Sequence, residues 1–272
     1  MTSLPNGFGD DDLRAALDVA ILASDAAARI HRGYQGGAMG VRTKSTDVDL
    51  VTEVDTLAEE AIRSVVSERY PDHAVLGEEA GQNVDARCRW IVDPLDGTVN
   101  YAHGFPFYCV SIALEVDGEL LVGVVHDTAH DERFTAMRGH GAFLDGRRLR
   151  VSQTTDPRQC LVCTGFAYDD ETRERSLPAF TRALTATRAI RRPGSAALDI
   201  CYVAAGRLDA FWEYGLNAWD AAAGVLMVRE AGGTATGEDG APYRWDHDAL
   251  LATNGASHAR FMELLQLGAT LT

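Results

Sequence analysis

Asp93 and Asp96 stand three residues apart in WIVDPLDGT, at the end of an apolar stretch. Pro94 between them fixes φ and imposes a bend, so the two carboxylates can face one point in space. Such a pair, with a nearby backbone carbonyl, is the hard oxygen set that Mg²⁺ takes. Gly97 lets a ligand approach the backbone, and Thr98 adds a hydroxyl and an amide. A helix starting here would also offer free N–H groups to an anion. The hexamer DPLDGT suits a plain strand-ending turn equally well, because Asp-Pro and Asp-Gly are turn dipeptides. Further acids weigh toward the first reading. Glu78 and Glu79 follow the apolar AVLG, and Asp220 follows Trp219 ahead of the small, apolar run AAAGVLMV. Together they supply acids for two or three divalent ions, whereas Asp55 alone reads as a surface or capping residue.

The elements that would carry these residues are legible in outline. Residues 10–33 show apolar positions at helical spacing, with acids at the start and Arg-His-Arg near the end, as a helix dipole favours. A second amphipathic helix runs over 52–71 and is closed by Pro71; a short strand AVLGEE and then RWIVD follow. From 108 to 151 the period becomes two, with Asp117-Gly118 and Asp145-Gly146 as hairpin turns, so an antiparallel meander is predicted. Beyond about 156 strands alternate with helices: CLVCTGF, a helix from about 170, AIRRPG, a helix over 195–206, LDAFWEY, a helix over 218–232, LLATN and a terminal helix. The reading is an N-terminal α+β lobe, 1–155, carrying most of the acids, and a C-terminal α/β lobe, 156–272, with no repeats or low-complexity linker.

Composition narrows the function classes. With 46% hydrophobic and 24% charged residues the chain reads as an ordinary globular protein, and no run approaches a membrane span. The N-terminus lacks a basic region followed by an apolar core, so a cytoplasmic protein is expected. A net charge of −15 argues against nucleic acid as the main partner. Five scattered cysteines do not make a disulfide framework, and Cys160-x-x-Cys163 lies in an apolar strand-like run without a second metal-ligating pair.

The ordered set DLVTEVD (49–55), GEEAG (77–81), WIVDPLDGTVNYAHGFPFYCVSIAL (90–114) and AWDAAAGVLMVREAGG (218–233) closely resembles the inositol monophosphatase family, lithium-sensitive Mg²⁺-dependent phosphatases. The resemblance runs from about residue 10 to 265. It implies a layered α-β-α-β-α sandwich with the metal site between the lobes, assembled as a homodimer. Matching the motif positions, Glu79, Asp93 and the Leu95 carbonyl would hold one Mg²⁺, and Asp93, Asp96 and Asp220 a second. A third, weaker ion would lie near Glu79. Asp55 would pair with Thr98 to orient or deprotonate a water. The Gly97 and Thr98 amides would cradle phosphate, with Lys44 near the entrance. In the second half, Gly194, Ser195 and Ala196 would line the substrate pocket, and Glu213 would bind substrate hydroxyls with Asp220 close by. Ser195 stands where many relatives carry Thr. The stretch TGFAYDD, 164–170, resembles the bacterial branch, so ring-contacting residues cannot be carried over to it.

The resemblance implies hydrolysis of inositol 1-phosphate and similar small polyol or sugar monophosphates by metal-activated water, without a phospho-enzyme. No Ser or Cys sits in a nucleophile motif such as G-x-S-x-G. The same chemistry on fructose 1,6-bisphosphate, histidinol phosphate or 3′-phosphoadenosine 5′-phosphate is the nearest alternative. A regulatory binding protein that has lost turnover is a second one, although no metal carboxylate is missing.

Overall fold

The computed structural model describes residues 4–5, 8–35, 42–43, 50–79 and 86–269. Helix α1 (Asp10–Tyr34) opens on three acids and buries Leu13, Ala16, Ala20, Ala23, Ala27 and His31, a single face at helical spacing. Two short strands, β1 (Arg42–Thr43) and β2 (Leu50–Val51), pair antiparallel ahead of α2 (Glu53–Arg69). Thr52 caps α2, and Asp55 closes the capping box by accepting from the Thr52 N–H.

A seven-stranded sheet follows, in spatial order β3 (Ala74–Gly77), β4 (Cys88–Asp96), β5 (Cys109–Val116), β6 (Glu119–Asp127), β7 (Glu132–Met137), β8 (Gly141–Leu144) and β9 (Arg147–Arg148). Only β3 and β4 run parallel; the rest form the meander expected from Asp117-Gly118 and Asp145-Gly146. Those four turn residues all have positive φ, between 48° and 80°, as tight hairpins of right-handed twist require. The short helix α3 (Thr98–Ala102) interrupts the path from β4 to β5. Every residue of β5 is buried, so the outward positions of its period-two pattern meet a second layer rather than water.

The second sheet has the order β11 (Ala189–Arg191), β10 (Leu161–Thr164), β12 (Ala210–Tyr214), β14 (Ala249–Thr253), β13 (Thr234–Thr236). The alternation of helices and strands holds, yet the sheet is mixed: β14 runs antiparallel to both of its neighbours. Its connecting helices are α4 (Asp170–Ala186), α5 (Ala196–Ala204), α6 (Ala218–Glu230) and α7 (His258–Leu265).

Three cores set the layering. Trp90, Val92, Ile112, Leu114 and Val124 pack on α1 and α2. Ile91, Ala113, Val125 and Phe134 point the other way, into α5 and α6 and on to Cys163 and Phe211 of the second sheet. Val162, Trp212 and Leu251 cover the far face with α4 and α7. The result is an α-β-α-β-α sandwich. Its middle layer explains the AAAG run: residues Ala221–Val228 of α6 are all buried, and a Cβ on Gly224 would stand 2.8 Å from Ile200 of α5.

Candidate active site

The site begins where β4 ends. Its register against β5 slips between Asp93, opposite Ser111, and Asp96, opposite Cys109, so one residue is extra on β4. Pro94 sits in this bulge, where its missing N–H costs no ladder bond. Asp93 is 2% exposed and its Oδ1 accepts from the Leu95 N–H at 3.0 Å. Gly97 adopts φ 91°, and a Cβ there would come within 2.9 Å of the Phe107 carbonyl. Position 97 is therefore glycine for both conformation and space.

Thr98 Oγ1 lies 2.9 Å from Asp55 Oδ1 and 2.9 Å from the Leu95 carbonyl. Both are acceptors, so its one proton serves one of them at a time. Asp55 therefore has two duties. Its Oδ2 caps α2 through Thr52, and its Oδ1 faces Thr98.

Asp96 ties the end of β4 to α5: its Oδ2 accepts from Ser195 Oγ and from the Ala197 N–H, each at 2.7 Å, at the start of that helix. Asp220 is the third residue of α6, and its Oδ2 accepts from the Asn217 N–H at 2.7 Å. Asn100 Nδ2 donates to Phe107 O at 2.7 Å and lies 2.9 Å from Pro193 O, holding the 193–194 segment against α3.

A cleft of about 280 Å³ is lined by Glu78, Asp96, Gly97, Ser195, Glu213 and Asp220, among others; Asp55, Asp93, Leu95 and Thr98 do not line it. Of the two adjacent glutamates it is Glu78, and not Glu79, that lines it. Glu59 Oε2 accepts from the Glu79 N–H at 2.8 Å, anchoring the chain just past β3. Glu78 therefore stands at the cleft where the sequence reading put Glu79. Glu213, on β12, rests against Gly165, where an added Cβ would fall 2.0 Å from Oε2. Lys44 lies outside the described residues.

Electrostatics at the cleft run one way. Burial pushes the Asp93 and Asp220 carboxyls well above their usual range, and the charge of Glu78 adds to it. Asp96 is also raised by burial, although Ser195 and two backbone amides pull it back. Glu213 is pushed up to about 8 by burial, against the opposing pull of Arg192. Among the described lining residues Arg192 is the one base. As the side chains stand, no three His, Cys, Asp or Glu among the described residues converge enough to hold an ion. The donor set nevertheless fits hard cations: it is all oxygen, it is buried, and its carboxylates outnumber the one base, Arg192, among the described lining residues.

Several further residues line the cleft, some of them in the stretch TGFAYDD, 164–170, to which the resemblance assigned no roles. Gly165, Phe166, Ala167, Tyr168 and Asp169 form one wall, and Arg192 and Asp199 stand close to Glu213. Asp199 had one visible cue, a lone acid in the apolar helix AALDICYVA. A larger cavity of about 610 Å³ lies elsewhere, lined by Arg89, Glu115, Tyr243 and Trp245, and holds none of the motif carboxylates. All five cysteines are free; Cys160 packs in the outer core and Cys163 in the central one, on opposite faces of the sheet.

Comparison with known proteins agrees with this architecture. The model of the inositol monophosphatase family matches residues 12–268. The chain is 42% identical to the inositol-1-monophosphatase of Synechocystis over 95% of this chain and 91% of that one. It is 48% identical to the Nus factor SuhB of Pseudomonas aeruginosa, over 68% of this chain and 71% of that one. Among solved structures, the extragenic suppressor protein suhB of Bartonella henselae superposes with a TM-score of 0.88 at 38% identity, covering 94% of this chain and 100% of that one. No helix among the described residues is long and apolar enough to cross a membrane. The chain belongs to the inositol monophosphatase family of metal-dependent phosphatases.

Proposed function

We propose that the protein hydrolyses inositol 1-phosphate and similar small polyol or sugar monophosphates in the presence of Mg²⁺. One observation carries the reading: Asp96 and Gly97 at the end of β4, Ser195, Glu213 and Asp220 at the start of α6 all border a single cleft. Glu78, Asp93 and the Leu95 carbonyl would hold one ion, and Asp93, Asp96 and Asp220 a second. Bound Mg²⁺ supplies a water of lowered pKa and balances charge on the attacking and leaving oxygens.

The residues of the chain do the rest. Thr98, with its proton on Asp55, presents an oxygen lone pair that can accept from the attacking water. The Gly97 and Thr98 amides meet the phosphate. Gly194, Ser195 and Ala196 border the leaving group, and Glu213 accepts from its hydroxyls. Asp96, tied to Ser195 and Ala197, sets the distance between the phosphate and hydroxyl ends of the cleft.

The test is phosphate release in Mg²⁺, with and without Li⁺, across inositol 1-phosphate, fructose 1,6-bisphosphate, histidinol phosphate, 3′-phosphoadenosine 5′-phosphate and glycerol 2-phosphate. Inositol 1-phosphate is expected to be the best substrate, and preference for a bisphosphate would overturn the assignment. Asp93→Asn or Asp220→Asn is expected to lower Mg²⁺-dependent release at least about a hundredfold while the circular dichroism spectrum is kept. The similarity to a protein named Nus factor SuhB favours a second reading, a regulatory factor. Wild-type protein that releases phosphate from no member of the panel would leave that reading in its place.

A further inference from the structure

Asp199 lies in the first turn of α5 between Leu198 and Ile200, both fully buried. It is itself 1% exposed, it lines the cleft, and its Oδ1 meets no hydrogen-bond donor among the described residues. A carboxyl taken out of water without a donor is costly, and an apolar side chain of similar size would serve this helix better. No donor among the described residues reaches this acceptor, which leaves it open to a partner entering through the cleft. The charged groups near it are Glu213 on β12, Asp96 at the end of β4 and Arg192 at the rim. The Asp96 carboxylate is engaged by Ser195 and Ala197 at the start of α5, beside the segment that borders the leaving group. Asp199 and Glu213 therefore lie at the end of the cleft that receives the leaving group.

We propose that Asp199 is a specificity residue of this cleft, accepting a hydrogen bond from a leaving-group hydroxyl that lies beyond the one read by Glu213. The inference rests on the phosphatase reading above and sharpens its substrate class. Two acceptors side by side select a leaving group with several hydroxyls, a cyclic or six-carbon polyol, over a three-carbon one. A leaving group that fails to reach Asp199 leaves a buried carboxyl unpaired, and specificity through such unpaired groups is stronger than through lost apolar contact.

The experiment compares kcat and KM for inositol 1-phosphate and glycerol 2-phosphate in Mg²⁺, using wild type, Asp199→Leu and Asp199→Asn. Asp199→Leu is isosteric and apolar; Asp199→Ala replaces it should it fail to fold. The apolar variant is expected to lose about tenfold or more in kcat/KM on inositol 1-phosphate, chiefly through KM, and to keep wild-type values on glycerol 2-phosphate. Asp199→Asn, which retains one acceptor oxygen in the same shape, is expected to stay within about threefold on both. The melting temperature of the apolar variant without metal is expected to equal or exceed that of wild type. Equal losses on both substrates, or none on either, would overturn the proposal. So would a loss confined to histidinol phosphate, because Asp199 would then be reading an ammonium. Wild-type protein inactive on every substrate is a different outcome: it removes the phosphatase reading itself before any variant is compared.

Discussion

Glu78 and Glu79 are chemically identical neighbours, and only their place in the chain separates them. Both lie in the turn that follows β3, and Glu78 lines the cleft while Glu79 does not. The Glu59 carboxylate decides which, by taking the Glu79 amide. A Cβ on Gly77 would stand 2.4 Å from the same carboxylate, which makes room for this anchor the reason for glycine in AVLGEE. Glu78→Gln is therefore expected to cut Mg²⁺-dependent phosphate release by about a hundredfold and to raise the Mg²⁺ needed for half activity. Glu79→Gln is expected to stay within a few-fold of wild type. A Mg²⁺ titration of both variants checks this, and the reverse order would return the ligand role to Glu79. The limit of the sequence at this scale is plain: it displays both acids, but which one meets the cleft depends on a turn anchored by a residue some twenty positions away. No such ambiguity arises at Asp93, Asp96 and Asp220, whose immediate neighbours carry no carboxylate.

At the scale of elements, α1 holds the β4 bulge from behind. His31 Nε2 lies 2.9 Å from the Pro94 carbonyl and Nδ1 lies 3.0 Å from Thr128 Oγ1. A carbonyl only accepts, so Nε2 carries the proton and Nδ1 accepts from the threonine hydroxyl. Burial pushes this imidazole down to about 3 from an ordinary 6.5. The unfolded chain binds a proton at His31 below its ordinary value while the folded one does not, so stability falls as pH drops through that interval. The slope for one proton is about 1.4 kcal/mol per pH unit. His31→Gln keeps a donor for Pro94 and removes the titration. It is expected to cost about 1–3 kcal/mol near neutrality and to flatten the acid limb of denaturant-derived stability by about one proton. An unchanged acid slope would mean that His31 is protonated in the folded state. The helix was legible from its apolar spacing, as were its acidic start and basic end. That His31 belongs to its buried face and supports DPLD was not, because a histidine among alanines has no sequence mark of a partner 63 residues on.

Across the whole molecule, the cleft gathers negative charge from both sheets and from the helices between them. Such an arrangement weakens the metal-free fold and makes cation binding a source of stability. Millimolar Mg²⁺ is expected to raise the melting temperature of wild type by a few degrees and that of Asp93→Asn by much less. Without metal, Asp220→Asn is expected to melt no lower than wild type, since it removes one of the crowded charges. A scan of both variants with and without Mg²⁺ tests the pair of statements, and equal shifts would remove Asp93 from the ion's ligands. The order of helices and strands could be followed along the chain, but the five layers could not be read from periodicity alone. They depend on α6 being buried on all sides, and a helix without a polar face carries no sign of how many sheets enclose it.

The Thr98 hydroxyl, 2.9 Å from each of two acceptors, has a consequence for how the site becomes ready to work. Its proton can point to only one of them. A cation held by the Leu95 carbonyl would compete for the electrons that otherwise accept that proton, and would favour the O–H pointing to Asp55. An oxygen lone pair of Thr98 would then be left for a water. Occupancy of the carbonyl would thus bias the direction of one O–H bond, linking the filling of the site to the readiness of its proton acceptor.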